Sequence, residues 1–161
     1  MSFVVRPLNI SGPLIIEPKR FYDSRGFFEE SFRAADLKEI GIPTFVQENH
    51  SLSVPPVIRG MHYQLNPKAQ GKLIFCVVGG IIDVIVDIRH DSKTYGKWEK
   101  ICLHENIAKM LYIPPGFAHG FFAYNRHPKT HLIYKTTEYY DFMSIFYQFF
   151  GLRYCMWYFV V

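Results

Sequence analysis

Residues 81–90 read IIDVIVDIRH, and the period of that decapeptide constrains the fold more than any other stretch of the chain. Ile82, Val84, Val86 and Ile88 fall on one side of an extended strand, while Asp83, Asp87 and Arg89 fall on the other. A period of two belongs to a β-strand. KLIFCVV before it (72–78) reads as a second strand, and Gly79-Gly80 between them reads as a hairpin turn. KWEKICL, KMLYIPP, FAHGFFAY and THLIYK follow at strand-like spacing. Only AADLKEI, Ala34 to Ile40, reads as helix, and Gly41 ends it. Many short strands separated by Gly and Pro predict an all-β sandwich or barrel, with residues 1–161 in one domain.

Composition narrows the class. Hydrophobic residues make up 49% of the 161 and aromatics 17%, enough for a real core and too many for a disordered chain. The net charge of +4 is spread out, with no Lys/Arg run of the kind that binds nucleic acid; a small anionic ligand fits better. MSFVVRPLNI lacks the pattern of a signal peptide, and no run of about 20 apolar residues offers a membrane span. These features predict a soluble cytoplasmic protein with no membrane partner. Cys76, Cys102 and Cys155 are odd in number and form no C-x-x-C, which argues against a zinc site or a disulfide framework.

A closed β fold holds its ligand in the barrel mouth, on side chains that point inward from several strands. In RGMHYQ (59–64), His62 shares a face with Gly60 and Gln64, but Arg59 falls on the other. Both can serve one site only if the strand is irregular between them, and Gly60 suits a bulge. Lys72 shares a face with Ile74 and Cys76 on the next strand.

PPGFAHG, with Pro114, Gly116 and His119, is similar to the second metal-binding block of cupins, which are jelly-roll barrels. The first block departs from the metal pattern. Gln64 stands where a second His is expected after His62, and Lys72 or its apolar neighbours stand where a Glu is expected. Divalent metals require neutral imidazoles and carboxylates, and an ammonium aimed at the same point repels the cation, so no metal is expected. Taken for proton transfer, the residues make a set. His62 is a candidate general base, Lys72 a stabiliser of a developing oxyanion, and Tyr134 in LIYKTT a candidate acid. Base, oxyanion stabiliser and acid are what a reaction at the carbon beside a ketone requires.

Seven ordered stretches are similar to the dTDP-4-dehydrorhamnose 3,5-epimerase family: DSRGFFEESF, FVQENHSLS, VIRGMHYQ, QGKL, GGIIDVIVDIRHDSKTYGKW, IPPGFAHGF and YKTTEYY, over residues 10 to 140 or so. The resemblance implies a cupin-type double-stranded β-helix with one short helix. It also implies a cofactor-free isomerase that inverts C3 and C5 of dTDP-4-keto-6-deoxyglucose, giving dTDP-4-keto-rhamnose for cell-surface polysaccharide. It makes His62 the base, Lys72 the partner of the O4 enolate and Tyr134 the acid. His119 would contact the sugar or support the base, and Arg25 and Arg59 would hold the diphosphate. Glu30, Gln47 and Asn49 would bind the nucleotide side, and Tyr140 would stack on thymine. A homodimer is implied.

The chain departs from that family beyond Tyr140. Phe142 and Ile145 replace the expected Pro and nucleotide-binding Glu. The later segment whose Asp pairs with the base histidine has no counterpart before Val161. Asp83, on a strand expected to neighbour that of His62, is the candidate supporting carboxylate. The apolar run from Ile145 is expected to pack as strand on the barrel or on a partner. Alternative readings are a single-centre epimerase or ketoisomerase on a related dTDP-4-keto sugar, a nucleotide-sugar-binding homologue with weakened catalysis, and a metal-dependent dioxygenase.

Overall fold

The computed structural model describes residues 3–124 and 128–147. In chain order the strands are β1 (Phe3–Pro7), β2 (Leu14–Pro18), β3 (Arg20–Asp23), β4 (Gly26–Glu29), β5 (Gln47–Ser53), β6 (Val57–Gln64), β7 (Lys72–Val78), β8 (Gly80–Asp87), β9 (Trp98–His104), β10 (Met110–Ile113), β11 (Phe117–Ala123), β12 (Thr130–Thr136) and β13 (Ile145–Tyr147), with helix α1 (Ala34–Glu39) between β4 and β5. One sheet has the order β1-β2-β10-β7-β12-β5 and the other β13-β6-β11-β8-β9, while β3 and β4 form a separate hairpin. From β5 to β8 and from β9 to β13 each successive strand changes sheet. That alternation makes the barrel a cupin-type jelly roll, and the all-β expectation holds.

Two apolar layers hold it. Ile74, Ile81, Ile85, Leu103, Leu111 and Leu132 are buried between the sheets. On the outer face of the six-stranded sheet, Leu37 of α1 packs with Ile16, Leu73, Met110 and Tyr112. β7 thus contributes Leu73 to one layer and Ile74 to the other, which explains its continuous apolar run. The helix ends as expected: Gly41 has φ +81° and its N–H donates to the Lys38 carbonyl at 3.0 Å. Among the described residues no helix is long and apolar enough to cross a membrane.

One expectation about the strands needs correction. Gly79-Gly80 is not a hairpin turn, because β7 pairs with β10 and β12 while β8 pairs with β11 and β9. The glycines make the corner at which the chain leaves one sheet for the other. Gly79 has φ +79°, and a Cβ there would stand 2.7 Å from Thr130 Oγ1. In β8, the face that carries the aspartates is the inward one: Asp83 and Asp87 are fully buried with Ile81 and Ile85, whereas Ile82 is exposed. Asp87 is satisfied there by Arg89 Nε at 2.9 Å and by the hydroxyls of Ser92 and Thr94, both at 2.6 Å.

Candidate active site

A cavity of about 560 Å³ lies between the sheets. Strand register assembles it. His62 of β6 is opposite His119 of β11, Tyr134 of β12 is opposite both Asn49 of β5 and Ile74 of β7, and Gln47 is opposite Thr136. His62, Lys72, Tyr134, Arg59, Gln47, Asn49, His119 and Tyr140 all line the same space. A wider depression of about 750 Å³, bounded in part by Asn66, Arg89, His90 and Lys93, contains none of the expected acid–base residues.

The bulge at Gly60 is present. Between His119 and Phe121, β11 advances two residues while β6 advances three, from His62 to Arg59. The extra residue brings Arg59 round to the face of His62. Gly60 has φ +116°, and a Cβ there would lie 2.5 Å from the Gly120 Cα. The Arg59 guanidinium is anchored by Nε to Ser53 Oγ at 3.1 Å and by Nη2 to the Leu52 carbonyl at 2.9 Å.

Charge and burial set the protonation states. Lys72 is buried, and loss of hydration lowers its amine to about 8. The Lys72 charge, and then burial, hold the His62 imidazolium well below the usual histidine range. Burial raises the Tyr134 phenol, against a smaller opposing pull from Arg59. Burial also pushes Asp83 well above the carboxylate range and His119 well below the histidine range. Lys72 favours the charged form of Asp83, and we assign His119 Nε2–H as donor to Asp83 Oδ2 at 2.7 Å. Burial pushes the Cys76 thiol up to about 12, so it holds no thiolate at neutral pH.

Asp83 is therefore paired with His119. The expected contact with His62 assumed neighbouring strands, but β11 lies between β6 and β8. His119 fills the gap, its ring edge-on to His62 at 5.5 Å between centroids. Arg25 and Glu30 do not line the cavity. Arg25 sits at the tip of the β3–β4 hairpin, 88% exposed and 2.6 Å from Asp23 Oδ2, and Glu30 faces Arg33 at 3.7 Å. Of the run from Ile145, the first three residues form β13 on β6, and the rest, with Cys155, lies outside the described residues. Sequence reasoning gave no role in the site to Ser51, Gln70 or Gln64, which also line the cavity. Ser51 alternates with Gln47 and Asn49, a signal that was available; its buried hydroxyl has no partner among the described residues.

Comparison with known proteins gives the same picture. The family model described as dTDP-4-dehydrorhamnose 3,5-epimerase matches residues 7–145. The Shigella flexneri protein of that name is 50% identical over 133 residues, which is 81% of this chain and 72% of that one. The crystal structure of the Bacillus anthracis dTDP-4-dehydrorhamnose 3,5-epimerase with TDP and PPi bound superposes with a TM-score of 0.88 at 40% identity, covering 94% of this chain and 86% of that one. A Legionella pneumophila 3,5-epimerase in complex with dTDP-4-keto-L-rhamnose gives 0.85 at 41% identity, covering 90% and 77%. On its motifs, its jelly roll and these likenesses, the chain belongs to the dTDP-4-dehydrorhamnose 3,5-epimerase family.

Proposed function

We propose that the protein is a cofactor-free isomerase that inverts C3 and C5 of dTDP-4-keto-6-deoxyglucose. One observation carries this reading: His62 belongs to the five-stranded sheet, whereas Lys72 and Tyr134 belong to the six-stranded sheet across the cavity. A hexose ring between the walls has a base on one side and an acid on the other. A proton removed toward His62 and returned from Tyr134 arrives on the opposite face, and the carbon inverts. His62 is neutral at pH 7 because Lys72 disfavours its protonation. Lys72 meets the negative charge that grows on O4 as the enolate forms. Tyr134 keeps its proton until it is needed, since burial raises its pKa. Gln64 and Lys72 occupy positions where a metal-binding cupin has ligands, which supports chemistry carried by side chains.

The reading extends to the nucleotide and the assembly. Arg59 offers a guanidinium to a diphosphate, and Tyr140 an aromatic face to a base. The β3–β4 hairpin leaves Tyr22, Phe27 and Phe28 exposed, an apolar patch of the kind that marks an interface. We infer a cytoplasmic homodimer in which this hairpin reaches the partner's cavity, giving Arg25 and Glu30 their roles at the diphosphate and nucleotide.

The test is NMR of the sugar in D2O. Wild type exchanges the C3 and C5 protons. His62→Ala, folded by circular dichroism, loses at least about 100-fold in that rate, the scale of a removed general base. Wild-type exchange in this variant would sink the assignment.

A further inference from the structure

Gln64 ends β6 two residues after His62, and it is 6% exposed. Its amide uses both donors and its oxygen. Nε2 donates to the carbonyls of Lys68 at 2.6 Å and Tyr139 at 3.2 Å, and Oε1 accepts from the Asp141 N–H at 3.0 Å. Tyr139 and Asp141 flank Tyr140, which borders the cavity. One side chain thus grips the backbone on both sides of Tyr140. Residues 137–141 are where the chain leaves β12 of one sheet for β13 of the other. Other contacts tie the crossing on its near side: Gln70 Nε2 donates to the Glu138 carbonyl at 2.8 Å, and the Tyr140 N–H donates to Gln47 Oε1 at 3.1 Å. A half-exposed aromatic on an irregular crossing has little packing to fix it, so these polar ties set its place.

We propose that Gln64 is a positioning residue: by clamping the backbone around Tyr140 it sets affinity for the nucleotide end of the substrate, with a much smaller effect on proton transfer. This rests on the reading of the cavity as a nucleotide-sugar site. The chemistry fits the residue type, because only a primary amide donates to two carbonyls and accepts from an N–H at the same time.

Calorimetry with dTDP on wild type, Gln64→Met, Tyr140→Ala and the double variant tests the proposal. Methionine keeps the volume of the buried side chain and removes its hydrogen bonds; Gln64→Glu, which keeps only the acceptor for Asp141, replaces it if the Met variant does not fold. The expected result is a Kd raised about tenfold in Gln64→Met, the size of one or two lost hydrogen bonds. When Tyr140 is already Ala, the added effect falls to about twofold or less, because both changes act through one contact. With the 4-keto sugar, KM rises in step while kcat falls by less than about threefold. Amide exchange at Tyr140 and Asp141 quickens in Gln64→Met with or without nucleotide. An unchanged Kd in a folded variant overturns the proposal. So does a tenfold loss that persists without Tyr140, or a fall in kcat at constant KM. A wild type that does not bind dTDP overturns the cavity reading and the affinity claim together, and is told apart from a failed clamp because amide exchange would still respond to Gln64→Met.

Discussion

Lys72 is the charge that most lowers His62, and its own burial costs stability while, on the proposed mechanism, it serves the chemistry. The amine needs its proton to meet an enolate, and burial lowers it to about 8. His62 must be without its proton, and the Lys72 charge keeps it neutral to below the usual histidine range. kcat/KM should therefore hold through neutrality, fall on the acid side below pH 6.5, and fall on the alkaline side around pH 8 as Lys72 deprotonates. A pH–rate profile checks this, and Lys72→Arg should move only the alkaline limb upward. Stability follows with the opposite sign. The folded chain binds fewer protons than the unfolded one between about pH 8 and the ordinary lysine value of 10.5, so stability rises across that window. Lys72→Met should abolish turnover yet stabilise the fold at pH 7 by up to about 3 kcal/mol, since each pH unit between the folded and unfolded values is worth about 1.4 kcal/mol. Urea unfolding at pH 7 and pH 10 measures both effects. That His62, Lys72 and Tyr134 meet at one cavity was legible, because together they offer the base, oxyanion partner and acid of the proposed enolate chemistry. The partner of Asp83 was not. Parity assigns a side chain to a face, but it does not give the order of strands within a sheet.

Among the elements, β6 shows how a conflict in sequence parity can locate a structural device. Arg59 and His62 cannot share a face in a regular strand, and the irregularity falls at the glycine between them. The corner at Gly79 was illegible for a related reason: a two-glycine turn permits positive φ in a hairpin and in a crossing between sheets alike, and only the pairing partners of β7 and β8 decide. Gly60→Ala is the decisive substitution. Its methyl would press on the Gly120 Cα at 2.5 Å and the His119 carbonyl at 2.7 Å, at a φ that side chains avoid. The expected loss is about 2–4 kcal/mol of stability, read as a lower urea midpoint, and the surviving folded fraction should bind dTDP more weakly because Arg59 is no longer turned inward.

At the scale of the molecule, one chain supplies the walls of the cavity but keeps Arg25, at the tip of the β3–β4 hairpin, and Glu30, just after it, outside. The sequence could order the candidate site residues along the chain, but it could not say whether Arg25 and Glu30 serve the cavity of their own chain or, in the proposed dimer, that of a second copy. Complementation answers that. Arg25→Ala and His62→Ala should each be nearly inactive alone. Mixed and re-equilibrated in equal amounts, they should recover about a quarter of wild-type activity, because half the dimers are mixed and each mixed dimer carries one intact site. No recovery would mean that Arg25 serves its own chain or neither. A last consequence follows from the alternation of strands between sheets. His62 and Lys72 are ten positions apart in sequence yet stand on facing walls, because the chain crosses the barrel between them. Neither wall alone assembles a base with its oxyanion partner. On the proposed mechanism, catalytic competence therefore appears only on barrel closure, and a fragment that retains a single sheet inherits no share of it.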